Sequence, residues 1–408
     1  MEAMTTPAED RSDALASLAD ERALDGLLRP EELQFRAELR EVIRREVAPR
    51  ARAVDAEAAF PHESYQALAQ AGLAGLLVPR ELGGTAASTL SYALAVEEIA
   101  AACGSTSTVY MTQMHCAYPI LLHGTDEQRQ RFLPGLCSGA AYGAIAVTEP
   151  EVGSDAAGMK TRAWREGDEY RIEGAKTFIT TGDRADVIVV WATLDPSEGR
   201  HGITAFLVEG DRRGLSTGKV LPKMGMKGSS TAELFFEDCR VPVANRLGEE
   251  REGYALSIRS VVKSRISAAS QGAGFARAAY ERAAAWAHEQ GLLSGRRRDA
   301  QDLQFALADL RMRALAARGM LYLTARLVDE HSGDPITEVS AAKAFCTDTG
   351  VDVAQRAVEL LGVDGDRKDL ELERILRDAK VTQIYDGTNQ IQRLLIARDI
   401  RKRLEGDA

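Results

Sequence analysis

No stretch of the 408-residue sequence approaches the roughly 18 consecutive apolar residues of a membrane-spanning helix. Met1 to Asp20 is polar and lacks the basic-then-apolar order of a signal peptide. Cysteine is sparse: Cys103, Cys116, Cys137, Cys239 and Cys346 are scattered, odd in number and never in C-x-x-C spacing. That excludes a disulfide framework and a zinc site and suits a reducing compartment. The six histidines show no metal spacing, so no metal is expected, and His115 and His123 read as partly buried structural residues. There is no G-x-S-x-G elbow, P-loop or dinucleotide fingerprint. Positive charge is in deficit, with 51 Lys and Arg against 61 Asp and Glu, and the net charge of −10 argues against nucleic acid or an anionic membrane as partner. The run Arg296-Arg297-Arg298 reads as a solvated surface loop. A soluble cytoplasmic protein with a flexible tail over residues 1–30 is expected.

What remains is ordinary globular material, 45% hydrophobic and 27% charged, long enough for two or three domains. Residues 31–140 read as an amino-terminal α-helical domain. Leu33, Leu39, Val42, Ile43 and Val47 recur at three- and four-residue spacings before Pro49. Tyr65 to Leu77 and Leu90 to Ala102 form further helical segments, and another opens at Thr125-Asp126-Glu127-Gln128 with a capping residue and early acids. The texture changes after Gly139. Tyr170 to Ile172, Lys176 to Thr180, Val187 to Trp191, Thr204 to Val208 and Ala232 to Phe236 read as short strands of a β-barrel or sandwich spanning 141–250. From about Tyr254 the chain is helical again in Ala- and Leu-rich blocks, broken at 291–298, 332–335 and 362–369. These four long segments predict a carboxyl-terminal four-helix bundle over 251–408. The fold class is α+β, mostly α.

Near the end stands Ile384-Tyr385-Asp386-Gly387-Thr388-Asn389-Gln390-Ile391-Gln392-Arg393. It resembles the carboxyl-terminal signature of acyl-CoA dehydrogenases, in which a Glu usually follows the Tyr. The resemblance implies that this carboxylate removes the α-proton of an acyl thioester while a flavin takes the β-hydrogen as hydride. Here the position holds Asp386, whose carboxylate reaches about one C–C bond less far, and a general base needs hydrogen-bond distance to its proton before its pKa matters. An Asp before Gly387 also suits a turn-capping role. Some members of the family place the base on the first bundle helix; that position is Ser264, and no Asp or Glu lies between Tyr254 and Tyr280. Arg265, the next residue, matches a recurrent Arg beside the acyl chamber, with structural ion pairing an equal alternative. Arg265, Tyr385 and Gly387 are the implied substrate-binding residues.

Val147-Thr148-Glu149-Pro150-Glu151-Val152-Gly153-Ser154-Asp155 is similar to the family's T-E-P-x-x-G-S-D segment, which implies flavin contacts from Val147, Thr148, Gly153 and Ser154. Lys176 to Gly182 resembles K-x-W-I-T-N-G. It implies Phe178 packed on the flavin, in place of the commoner Trp, and Thr180 near N5, although a core Phe and a strand Thr would explain both residues. Gly225 to Thr231, followed by Phe235 to Pro242, is a third match, and no site is assigned to it. Thr388 and Gln390 complete the implied FAD set. The segments that normally approach the FAD pyrophosphate are altered, with Gln290, Leu293 and Glu359 where the family has Arg, an aromatic residue and Gln. Losing a cation and adding an anion beside a diphosphate weakens charge-assisted bonding.

The resemblance spans about residues 31–402. It implies an FAD-dependent dehydrogenase of an acyl-CoA or acyl-carrier-protein thioester, with an electron-transferring flavoprotein or oxygen as acceptor, assembled as a homodimer or homotetramer. Two other readings stay open. One is a flavin oxidase or monooxygenase of the same fold, since relatives include a nitroalkane-oxidising group whose base is an Asp. The other is a degenerate paralogue that binds a thioester without turning it over.

Overall fold

A computed structural model describes residues 22–293, 298–330 and 335–406. Arg296 and Arg297, read as part of a surface loop, lie outside the described residues. The helices in chain order are α1 (Arg22–Asp25), α2 (Pro30–Glu46), α3 (Ala51–Ala56), α4 (His62–Gln70), α5 (Thr89–Ala102), α6 (Gly104–His123) and α7 (Asp126–Ser138). After the strands come α8 (Gly253–Glu289), α9 (Arg298–Glu330), α10 (Ile336–Leu361), α11 (Leu372–Lys380) and α12 (Asn389–Glu405). The expected tail ends earlier than residue 30: Leu24 and Leu28 are buried, and Arg36 donates to Asp25 at 2.5 Å.

The chain folds as two compact units, one of which comprises Val42–Tyr92 and Ser105–Ser264. Its helix α7 starts as its sequence dictates, in a capping box: Thr125 Oγ1 accepts from Gln128 N and the Gln128 side chain accepts from Thr125 N. The segment expected as a helix over Tyr65 to Leu77 stops at Gln70, because Gly72 takes the left-handed conformation (φ 76°). Helix α6 falls inside the expected α-helical domain, which the sequence pattern did not divide there, and it runs through Pro119.

The strands are β1 (Gly143–Ala146), β2 (Arg162–Glu166), β3 (Glu169–Thr180), β4 (Val187–Thr193), β5 (Ile203–Glu209), β6 (Leu215–Val220), β7 (Thr231–Pro242) and β8 (Arg246–Leu247). They form one eight-stranded hydrogen-bonded sheet, ordered β6-β7-β3-β2-β4-β5-β8, with β1 paired to β4. Two expected segments merge into β3, whose pairing with β7 shifts register at Ile172/Gly174 and again at Lys176/Ile179. Ile172, Ile179, Ile188, Val190, Phe206, Val208, Leu234 and Phe236 build the core against the sheet.

The second unit draws on the chain up to Glu41, Ala93–Gly104 and the chain from Arg265 onward. Helices α8 and α10 meet backbone to backbone, for a Cβ added to Gly272 would lie 2.5 Å from the Cys346 carbonyl oxygen. The last expected helix is two, α11 and α12, parted at residues 381–388 where Asp386 and Gly387 both take positive φ (55° and 83°). A buried charge network crosses this unit. Arg318 Nε donates to Glu97 Oε1 at 2.6 Å, Tyr322 Oη to Glu97 Oε2 at 2.7 Å, and Arg277 Nη2 to Glu98 Oε2 at 2.7 Å. Burial pulls the Glu98 carboxyl up, and Arg277 and Arg40 outweigh it and hold the group below the usual carboxylate range.

Breaking one partner of a buried pair leaves an uncompensated charge. Arg318→Met is therefore expected to destabilise the protein by about 3–5 kcal/mol, read as a fall in the denaturation midpoint. Adding Glu97→Gln should recover part of that loss.

Candidate active site

In the sheet-bearing unit the two motifs meet along β1 and β3. Thr177 N donates to the Thr148 carbonyl at 2.9 Å. Lys176, fully buried, donates from Nζ to the Val147 carbonyl at 3.0 Å and to Glu149 Oε1 at 2.8 Å. Glu149 is closed by the backbone amides of Thr161 (2.9 Å) and Lys160 (2.7 Å). Burial pushes the Lys176 ammonium down to about 8 against the pull of Glu149, and Lys176 in turn overcomes burial to hold Glu149 low. This pair, which sequence reasoning passed over, fixes the backbone of 147–149 against 176–177. The signal was available: both residues stand at constant places within the two motifs.

Beyond this clamp the implied flavin residues point outward. The bulge in β3 gives Phe178 a left-handed backbone (φ 58°) and leaves its ring 65% exposed, while Ile179 enters the core and Thr180 is half-buried. A core Phe is thereby excluded. A large aromatic side chain held in solvent on a strained strand is what a ligand-facing residue looks like. Gly153 and Ser154 are exposed, with open space where a Gly153 Cβ would stand, and Val147 and Thr148 are half-buried.

In the bundle unit a second group of residues converges. Asp386 is half-buried between α11 and α12, and the N-cap of α12 is Thr388, whose Oγ1 accepts from Ile391 N at 3.3 Å. Tyr385 Oη donates to Gln271 Oε1 on α8. Arg265 is buried on α8 and donates from Nη1 to Ser340 Oγ at 3.3 Å; burial lowers its pKa while Asp386 raises it. Lys343 on α10 is fully buried, with Nζ donating to the Gly387 carbonyl at 2.9 Å and to Asn389 Oδ1 at 2.8 Å. Gln392 Nε2 donates to the same Gly387 carbonyl at 2.8 Å. Tyr385, Asp386, Gly387 and Arg265 are therefore brought together, and Lys343, Gln271 and Gln392 join them unforeseen. A lone Lys in the apolar run Ser340 to Cys346 was the one available hint.

Gln390 is exposed and lines a cavity of about 400 Å³ with Asp348, Lys380, Gln383, Ile384 and Arg393. Ser264, the alternative base position, donates its hydroxyl to the Val261 carbonyl at 3.0 Å. Of the altered residues, Glu359 is exposed and accepts from Gln355 Nε2 at 2.9 Å, and Gln290 and Leu293 are exposed.

Residues 29–140, 144–239 and 251–401 match, in order, the N-terminal, middle and C-terminal domains of acyl-CoA dehydrogenase. The chain belongs to the acyl-CoA dehydrogenase family. An acyl-CoA dehydrogenase of Bacillus subtilis (strain 168) is 40% identical over 372 residues, covering 90% of this chain and 97% of the relative. Butyryl-CoA dehydrogenase from Megasphaera elsdenii superposes with a TM-score of 0.86 at 33% identity, covering 91% of this chain and 98% of that one. The prolyl acyl carrier protein oxidase AnaB also gives 0.86, at 30% identity, covering 91% and 99%. This family member is thus a flavin oxidoreductase acting on CH–CH bonds, with FAD as its cofactor. The exposed Phe178 ring and the open, exposed turn at Gly153-Ser154 fit such a group.

A side chain as exposed as that of Phe178 buries little apolar surface in the fold itself. Phe178→Ala is expected to leave apoprotein stability within about 0.5 kcal/mol and to weaken FAD binding roughly tenfold, measured by fluorescence titration of apoprotein with FAD.

Proposed function

We propose that this chain catalyses the α,β-dehydrogenation of an acyl thioester carried on coenzyme A or on a carrier protein, with Asp386 as the base. The observation that carries this reading is the setting of Asp386: a carboxylate on a left-handed turn, electrostatically coupled to the two buried cations Arg265 and Lys343. FAD, when bound, supplies the acceptor for the β-hydrogen and its electron pair. A carboxylate oxygen of Asp386 takes the proton from Cα. Opposite charges beside a carboxylate favour its ionised form, which is the form a base requires. Tyr385, fixed by its bond to Gln271, and Gly387 flank the reacting carbon, and Arg265 holds the carboxylate's field from α8. Val147, Thr148, Gly153, Ser154, Phe178 and Thr180 would hold the flavin from the sheet, and Thr388 and Gln390 belong to the set that the family resemblance assigns to the bundle of a neighbouring subunit. The product is the α,β-unsaturated thioester.

The kinship to a carrier-protein oxidase, alongside relatives named for acyl-CoA, supports the thioester as the common element and leaves the carrier to experiment. An electron-transferring flavoprotein is the proposed acceptor, with oxygen the alternative. The proposed segments are 31–140, 141–250 and 251–408, and the five buried free cysteines support a cytoplasmic setting. Exposed Phe305, Met312 and Leu323 on α9, with Leu394, Ile400 and Leu404 on α12, support a homodimer or homotetramer.

Asp386→Asn is expected to retain FAD yet lose about 10²–10⁴-fold in the rate of flavin reduction by acyl thioesters. Anaerobic titration followed at the flavin absorption band measures this, and unchanged reduction would remove Asp386 from the reaction. Light scattering on the eluting protein should give a mass of two or four chains; 44.2 kDa would exclude the oligomer.

A further inference from the structure

Lys343 is a buried cation to which the reaction above assigns no chemical step. It stands on α10 among Ala342 and Ala344 with no exposed surface. Burying an ammonium is costly unless its protons are taken up. Two of them go to the Gly387 carbonyl and Asn389 Oδ1, at 2.9 and 2.8 Å. Both acceptors lie within three residues of Asp386. The Gly387 carbonyl also accepts from the buried Gln392, which reaches the Asp386 carbonyl at 3.4 Å as well, so the Gly387–Thr388 peptide, one residue beyond Asp386, is gripped from α10 and α12 at once. That grip holds a backbone which a non-glycine residue adopts only under constraint, since Asp386 has φ 55°.

We propose that Lys343 is a positioning residue for Asp386: it fixes the Asp386–Gly387 turn through the Gly387 carbonyl and sets a second cation beside Arg265 next to the carboxylate. The proposal rests on reading Asp386 as the base. The shorter side chain makes the grip more consequential. An Asp carboxylate has one torsion fewer than a Glu, so its location follows the backbone, and a turn that drifts carries the base out of hydrogen-bond reach.

Arg265 on α8 and Lys343 on α10 both feel the charge of Asp386. Asp348, further along α10, also acts on Lys343 but accepts from Arg393 at 2.5 Å, Gln383 at 2.6 Å and Asn389 at 2.7 Å. Asp386 is therefore the carboxylate whose charge Lys343 and Arg265 share.

The test uses the FAD-loaded full chain with Lys343→Met, which keeps length and removes the charge, and Lys343→Arg, which keeps the charge. A stability cycle of Lys343→Met, Asp386→Asn and the double variant needs no turnover. The double variant should be destabilised less than the sum of the singles, and strict additivity overturns the proposal. In anaerobic reduction the acid limb of the pH profile should move up by about one unit in Lys343→Met, with thioester affinity unchanged, and stay in place in Lys343→Arg. An unmoved limb in Lys343→Met overturns the proposal, as does a loss carried entirely by thioester affinity. Should Lys343→Met not fold, Lys343→Arg decides: slower reduction with the limb in place supports the proposal, and a displaced limb overturns it. If no thioester reduces the wild-type flavin, the reading of Asp386 as base fails, while the stability cycle still decides whether Lys343 and Asp386 are coupled.

Discussion

The carbonyl oxygen of Gly387 is the point that ties the turn at Asp386 to the rest of the bundle unit. It accepts one bond from Lys343 and one from Gln392, and both donors are buried. That double grip fixes the residue after Asp386, whose own left-handed backbone costs a non-glycine residue of order 1 kcal/mol or more. With it, the chain between α11 and α12 becomes a fixed bend. Thr388 caps the helix that follows, Tyr385 is tied to Gln271, and Arg265 sits within electrostatic reach of the carboxylate.

The sheet-bearing unit solves a similar problem by similar means. There a second fully buried lysine, Lys176, holds the Val147 carbonyl and pairs with Glu149, whose remaining acceptor capacity goes to the amides of Lys160 and Thr161. Burial pushes each ammonium down to about 8 against the pull of a nearby carboxylate. In both units the lysine acts on a main-chain oxygen inside a motif segment, that of Val147 in one and of Gly387 in the other. A flexible cation in water would not serve. Desolvated and saturated with acceptors, it becomes a rigid bracket.

Much of the fold could be read before any coordinates. Helix α7 followed from Thr125 and Gln128, and β4, β5 and β7 from runs of Val, Ile and Phe bounded by Gly and Asp. Helix α6 had no bounds in the sequence pattern, because a helix buried nearly all round lacks the polar face that marks the period. The split of the last bundle segment was likewise invisible, since Asp386-Gly387 reads as a turn inside a helical pattern whose continuity periodicity alone does not decide.

The sequence by itself determined the family, through motifs whose residue types recur in order: Thr148 to Asp155, Lys176 to Gly182 and Tyr385 to Gln390. It also determined that Asp386 is the one carboxylate at either family base position. What only the tertiary structure decided is which side chains hold those motifs in shape. Lys343 lies more than forty residues before the turn it supports, and Lys176 on β3 reaches back to the Val147 carbonyl just beyond β1. A motif is local in sequence and visible there; a hydrogen bond between distant elements depends on packing that closes the distance, and only the folded chain does that.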